Sequence, residues 1–163
     1  MPRFDISTKA GVDAFIDEYR DTVNSLSVER YLNNCHDDIV WYDTTLPEPA
    51  RGKQAVARLV VQPAIDEFDV FELSDLDPPH RTFDGDQVAW AWVLRGKANG
   101  TAVEMHGVNL YTIRDGLVAE VRGYNYFPEW LRQGDHPDGA LLGAHLQAHL
   151  ADGAPQEEQP QVT

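Results

Sequence analysis

The sequence predicts an α+β fold in which three helices of the N-terminal half pack on a curved antiparallel or mixed sheet, a cone open at one end. Two patterns carry this expectation. Apolar residues at helical spacing occupy the chain up to about residue 61, and from residue 68 to 127 the chain reads as strands separated by Gly-containing turns. Helices followed by a run of hairpins belong to a layered α+β domain rather than to a parallel α/β one.

The first helix is expected over residues 9–26. Val12, Phe15, Ile16, Tyr19, Val23 and Leu26 recur every three or four residues and therefore share one face. Ser7 or Thr8 offers a side-chain oxygen to the free N–H groups at its start. Ser27 caps a short second helix reaching to about Asn34. His36-Asp37-Asp38 is expected to turn the chain into a strand at 39–43. Pro47 and Pro49 keep 44–51 irregular. Gly52 opens a third helix over 53–61, which Pro63 ends or kinks.

Strands are expected at 68–76, 81–83 and 87–98, broken by Asp77-Pro78-Pro79 and turned by Asp84-Gly85-Asp86. Asn99-Gly100 has the chemistry of a type I′ turn, and the glycosylation sequon it forms with Thr101 is read as that turn. The central hairpin follows, with arms at 101–113 and 117–127 around Arg114-Asp115-Gly116. Residues 128–131 are expected to start a closing helical turn. A further helix at 138–150 carries Leu142, Leu146 and Leu150 on one stripe. The organisation expected is one domain over 1–150 and a polar, Pro- and Gln-rich tail over 151–163.

Alternation of side chains across the hairpin gives one face with chemistry on it. Met105, Gly107, Asn109 and Tyr111 share a face of the first arm, and Val121, Gly123, Asn125 and Phe127 a face of the second. A mostly apolar floor with two amides in it suits a small-molecule pocket. Val88, Trp90, Trp92 and Leu94 add an aromatic surface, which implies an apolar ligand. His106 falls on the opposite face, beside Glu104, and reads as a surface or interface residue.

With 163 residues and a net charge of −14, the chain is one acidic domain that repels nucleic acid and anionic membrane. The single cysteine, Cys35, excludes an internal disulfide and makes the cytoplasm the default setting. The N-terminal segment has no apolar signal region, and no stretch approaches the ~20 apolar residues of a membrane span. His145 and His149 stand at i, i+4, but no third ligand accompanies them, so no metal site is expected.

On the order of its segments the chain resembles the nuclear transport factor 2-like superfamily, and within it the ketosteroid isomerase and SnoaL-type polyketide cyclase branches. The residues that carry the resemblance are Ile-Val-Trp-Tyr-Asp at 39–43, the Pro-containing loop and Gly-Lys-Gln-Ala-Val at 52–56. With them go Tyr-Thr-Ile-Arg-Asp-Gly-Leu-Val-Ala-Glu at 111–120 and the segment 127–133. The resemblance implies a cofactor-free enzyme that takes a proton from beside a carbonyl. It implies Asp43 as the base and Tyr19 and Asn109 as hydrogen-bond donors to the enolate oxygen. Asn109 replaces the protonated acid of ketosteroid isomerases, and an amide donates without any need for a raised pKa. Segment 123–127 lacks the carboxylate that SnoaL-type cyclases and related epoxide hydrolases place on the last strand.

Trp41, Trp90, Trp92, Met105, Tyr111, Asn125 and Phe127 are the expected substrate contacts. The partner expected is a hydrophobic, polyketide- or steroid-like small molecule. The resemblance also implies a homodimer through the outer sheet face, where Glu120, Arg122, Tyr124 and Tyr126 lie. Isomerisation, aldol cyclisation and dehydration remain alternatives. So do a polyene cyclase that works by shape and a non-catalytic ligand carrier.

Overall fold

Helix α1 (Lys9–Asn24) begins where Thr8 accepts a hydrogen bond from the Gly11 N–H at 3.1 Å. Its apolar stripe is buried through Val12, Phe15, Ile16 and Tyr19, with Thr22 continuing it. The helix ends two residues before the expected point, because Leu26 takes a left-handed φ of +48°. Ser27 caps α2 (Val28–Leu32) by accepting from the Arg30 N–H at 3.2 Å. The computed structural model describes residues 4–44, 46–98 and 100–126. Phe127 and the segments expected at 128–131, 138–150 and 151–163 lie outside the described residues.

The turn expected at 36–38 is corrected: strand β1 runs over Cys35–Asp43. Its pairing with the last strand moves from Cys35 opposite Val118 to Val40 opposite Glu120, so β1 carries three extra residues there. The turn-forming residues His36, Asp37 and Asp38 therefore stand in a bulge rather than a break. A short β2 (Ala50–Arg51) pairs with β1.

The third helical stretch is longer than expected. Helix α3 (Gly52–Val56) passes through a π turn (Ala57–Val61) into α4 (Gln62–Glu67). The Gln62 N–H reaches the Ala57 carbonyl five residues back. Pro63 follows at once. In a regular helix its ring would crowd the carbonyl four residues before it, and the wider turn resets the ladder just ahead of that point.

Strand β3 is likewise one element, Phe68–Asp84, instead of two. Asp75 pairs with Trp92 and His80 with the adjacent Ala91, so residues 76–79, with both prolines, loop out of the ladder. An edge strand tolerates proline, which has no N–H to give. Strands β4 (Gln87–Ala98), β5 (Thr101–Arg114) and β6 (Leu117–Tyr126) follow the expected hairpins. Asp115 and Gly116, at φ +54° and +70°, form the left-handed pair that a two-residue hairpin turn needs.

The six strands of the described residues lie in the order β2-β1-β6-β5-β4-β3. Among the described residues only β1 and β6 run parallel, so the sheet is mixed, and it stays open there between β2 and β3. Helix α1 covers its inner face. Tyr111 of β5 meets Phe15 edge-on at 5.3 Å and Tyr19 at 4.8 Å between ring centroids. This aromatic block closes one end of the space between helices and sheet, and the site lies beside it.

Candidate active site

The strand registers set the candidate residues in rows across the inner face. Trp90 of β4, Asn109 of β5, Gly123 of β6 and Asp43 of β1 form one row. Trp92, Gly107 and Asn125 form the next. Leu73, Leu94 and Met105 form a third.

Two glycines make room in this floor. A side chain begun at Gly123 would lie 2.9 Å from Asp43 Oδ2 and 3.4 Å from Asn109 Oδ1, so both groups lean over the same gap. At Gly107 the same construction would strike the six-membered ring of Trp92 at 2.2 Å. The indole is laid across the backbone there. The Asp43 carboxylate is held by Asn125, whose Nδ2 donates to Oδ1 and Oδ2 at 3.3 and 3.4 Å. Trp41 Nε1 adds a longer contact to Oδ2 at 3.5 Å. These are the distances of weak hydrogen bonds; they aim the carboxylate more than they bind it.

Behind Asn109 stands a buried chain of hydroxyls. Asn109 Nδ2 donates to the Tyr111 hydroxyl at 3.0 Å. The hydroxyls of Tyr19 and Tyr31 lie 2.6 Å apart. Burial, foremost, pushes the ionisation of both Tyr19 and Tyr31 well above the ordinary tyrosine value, and Tyr111 is raised for the same reason. All three are neutral O–H groups at physiological pH. Each has one proton to donate, and Tyr111 also accepts from Tyr19, so Tyr19 gives its proton to a ligand when Tyr31 donates to Tyr19 and the ligand oxygen takes the place of Tyr111 as acceptor.

A cavity of about 200 Å³ opens between α1, α2, the π turn and the sheet. Asp43, Tyr19 and Asn109 all border it. So do Trp41, Trp92, Met105 and Asn125. Two of the expected contacts do not. Trp90 is fully buried, and its indole N–H donates to Asp75 Oδ1 at 2.9 Å. A buried indole N–H usually finds an acceptor, and for Trp90 that acceptor is Asp75, on the side away from the cavity. Tyr111 stands behind Asn109 as its hydrogen-bond partner. Asp75 itself is fixed by a forked pair from Arg81, which also reaches Asp17 of α1 at 2.9 Å.

Tyr31, Leu26 and the residues of the π turn were not expected at the site. Tyr31 has a legible signal, since Val28, Tyr31 and Leu32 repeat at helical spacing. The π turn has none, because its apolar residues read as an ordinary helix. Among the described residues no three His, Cys, Asp or Glu side chains are grouped to share a metal ion. No described helix is long and apolar enough to cross a membrane.

A family model for the SnoaL-like domain matches residues 16–121. The chain belongs to the SnoaL-like family. This bears out the resemblance and the fold expected from the sequence. Among solved structures, this SnoaL-like chain is similar to AusH from Aspergillus nidulans, at 17% identity over 73% of this chain and 86% of that one, with a TM-score of 0.65. It is similar to the BvnE pinacolase from Penicillium brevicompactum at 12% identity, over 89% of this chain and 96% of that one, with a TM-score of 0.66. A protein of ketosteroid isomerase-like fold from Catenulispora acidiphila, in complex with trimethylamine, matches at 13% identity over 76% and 94% of the two chains, with a TM-score of 0.64. At these identities the likeness is one of fold alone. No curated protein sequence matches.

Proposed function

We propose that this SnoaL-like protein is a cofactor-independent cyclase or isomerase that removes a proton from beside a carbonyl of a hydrophobic small molecule. The observation that carries the proposal is one carboxylate, Asp43, on the same cavity as two donor side chains, Tyr19 and Asn109, in an otherwise largely apolar wall. Asp43 takes the proton, and the C–H electron pair moves into the enolate. The enolate oxygen accepts from the Tyr19 O–H and from the Asn109 N–H that Tyr111 leaves unused. Donors aimed at a developing oxyanion in an apolar site contribute about 3 kcal/mol each. Asn125 and Trp41 steady the carboxylate. The enolate is then reprotonated, attacks a second carbonyl or expels a leaving group.

The test is hydrogen–deuterium exchange at the α-carbon of a bound ketone. Asp43→Asn lowers exchange by at least about 100-fold while the ligand still binds. Full exchange in that variant would sink the role of Asp43. A cyclase acting by shape on the aromatic walls Trp41 and Trp92 would then be the better reading, with Trp92→Ala the more damaging change. We infer also that the outer sheet face joins two copies. Val108, Leu110 and Tyr124 are exposed there, and a monomer by light scattering contradicts this. The buried free thiol of Cys35 suits a reducing cytoplasm.

A further inference from the structure

The floor of the cavity is polar at one end only. Its ionisable and amide groups, Asp43, Asn109 and Asn125, fall in two adjacent rows of the floor. The indole N–H of Trp92, buried without a hydrogen-bond partner among the described residues, belongs to the second of these rows. The third row is Leu73, Leu94 and Met105. Beyond it Phe71 stands opposite Gly96, packed edge-on against Phe68 at 5.2 Å between centroids. Asn109 and Met105 are four positions apart on β5, which is about 13 Å along the strand. The helices contribute both kinds of lining. Tyr19 and Tyr31 bring hydroxyls to the wall, whereas the π turn and α4 contribute Val60, Val61, Ala64 and Ile65. Two further hydroxyls border the space: Thr22 accepts from Asn34 Nδ2 at 2.7 Å and donates to Glu18 at 3.5 Å, and Ser27 accepts from the Arg30 N–H at 3.2 Å, a bond that does not use its own O–H.

From this we infer that the substrate is a carbonyl compound oxygenated at one end, whose far end is hydrocarbon lying over Met105, Leu94 and Phe71. A chain carrying oxygens along its whole length would bury some of them against side chains that cannot pair with them, and each such burial weakens binding. The inference rests on the reading of Asp43, Tyr19 and Asn109 as the carbonyl end. It goes beyond that reading by fixing where the ligand's oxygens are and are not accepted.

Two ketones of one skeleton test it. Benzylacetone has a single carbonyl and a bare phenyl ring; raspberry ketone adds a hydroxyl at the far end of that ring. Titration of the full chain, followed by tryptophan fluorescence and calorimetry, is expected to show raspberry ketone binding about 10-fold more weakly. Met105→Gln, which keeps the volume and adds an amide, is expected to narrow that ratio. Equal or tighter binding of raspberry ketone to the parent protein overturns the inference, as does failure of both ketones to bind at millimolar concentration. Exchange of the α-protons of benzylacetone in heavy water separates the two readings. Discrimination without exchange refutes proton abstraction and leaves the polarity of the cavity standing. Exchange without discrimination does the reverse.

Discussion

Replacing Gly123 by alanine tests the site where its geometry is tightest. The new methyl carbon would start 2.9 Å from Asp43 Oδ2, against the ~3.5 Å of an ordinary contact, so something must move by about 0.6 Å. Asp43 Oδ2 is the nearest group, and an Asp side chain has only two torsions with which to retreat. The relief open to it is to swing away from the gap, which breaks the 3.3 and 3.4 Å contacts from Asn125. A displacement of that size exceeds the tolerance of about 0.5 Å for a working constellation, and a loss of about 10- to 100-fold in α-proton exchange is expected. Stability should hardly change. Crowding costs about 1 kcal/mol, and the gain from removing a glycine from a strand interior offsets roughly 0.5–1 kcal/mol of that. The assay is exchange of benzylacetone in heavy water by proton NMR, with urea denaturation beside it. Parent-level exchange in Gly123→Ala would show that the approach of Asp43 over Gly123 has no part in the chemistry.

Three further outcomes are expected of this site and the core around it. Tyr19→Phe is expected to cut exchange by about 100-fold, and Tyr31→Phe by clearly less, because the proposed donor to the enolate is Tyr19 and Tyr31 supports it through the 2.6 Å hydroxyl pair; equal losses in steady-state rate would contradict that order. Arg81→Ala should destabilise the fold by about 2–3 kcal/mol in urea with ligand affinity unchanged, since it takes the forked partner from Asp75, whose carboxyl Arg81 holds below its usual range in a pair whose side chains are only 12% and 18% exposed, and leaves it the Trp90 N–H and Arg20 at 3.6 Å. Alkaline pH should weaken the protein. Burial raises the ionisation of Tyr19, Tyr31 and Tyr111 and pushes the Cys35 thiol up to about 12. Their contribution is complete below the unfolded values, near 9 for Cys35 and 10 for the tyrosines, and is lost as pH rises through the higher folded ones. The urea midpoint should therefore fall steadily above pH ~9, and a flat midpoint from there to pH ~11 would refute the burial of these groups.

The sequence by itself determined what depends on local periodicity. Strand alternation put Asn109 and Asn125 on the same face as Met105, and helical spacing put Tyr19 on the buried stripe of α1. The Gly-containing turns set the hairpin registers, because a left-handed backbone pair is a property of a few adjacent residues. What spacing could not decide was which partner each side chain would find. Trp90 and Trp92 are equivalent in the sequence pattern, yet Asp75 on the neighbouring strand takes the indole of Trp90 into the core and Trp92 is left at the cavity. Tyr31 joins Tyr19 only because two helices meet there. The prolines at 78–79 loop out of one long strand because that strand is an edge, and Pro63 continues a helix because a π turn precedes it. Above all, the parallel pairing of β1 with β6, two segments about eighty residues apart, brings Asp43 to the gap at Gly123 and within reach of Asn125. Hydrogen-bond satisfaction and strand pairing act across the chain, and they are settled only when the whole sheet has formed.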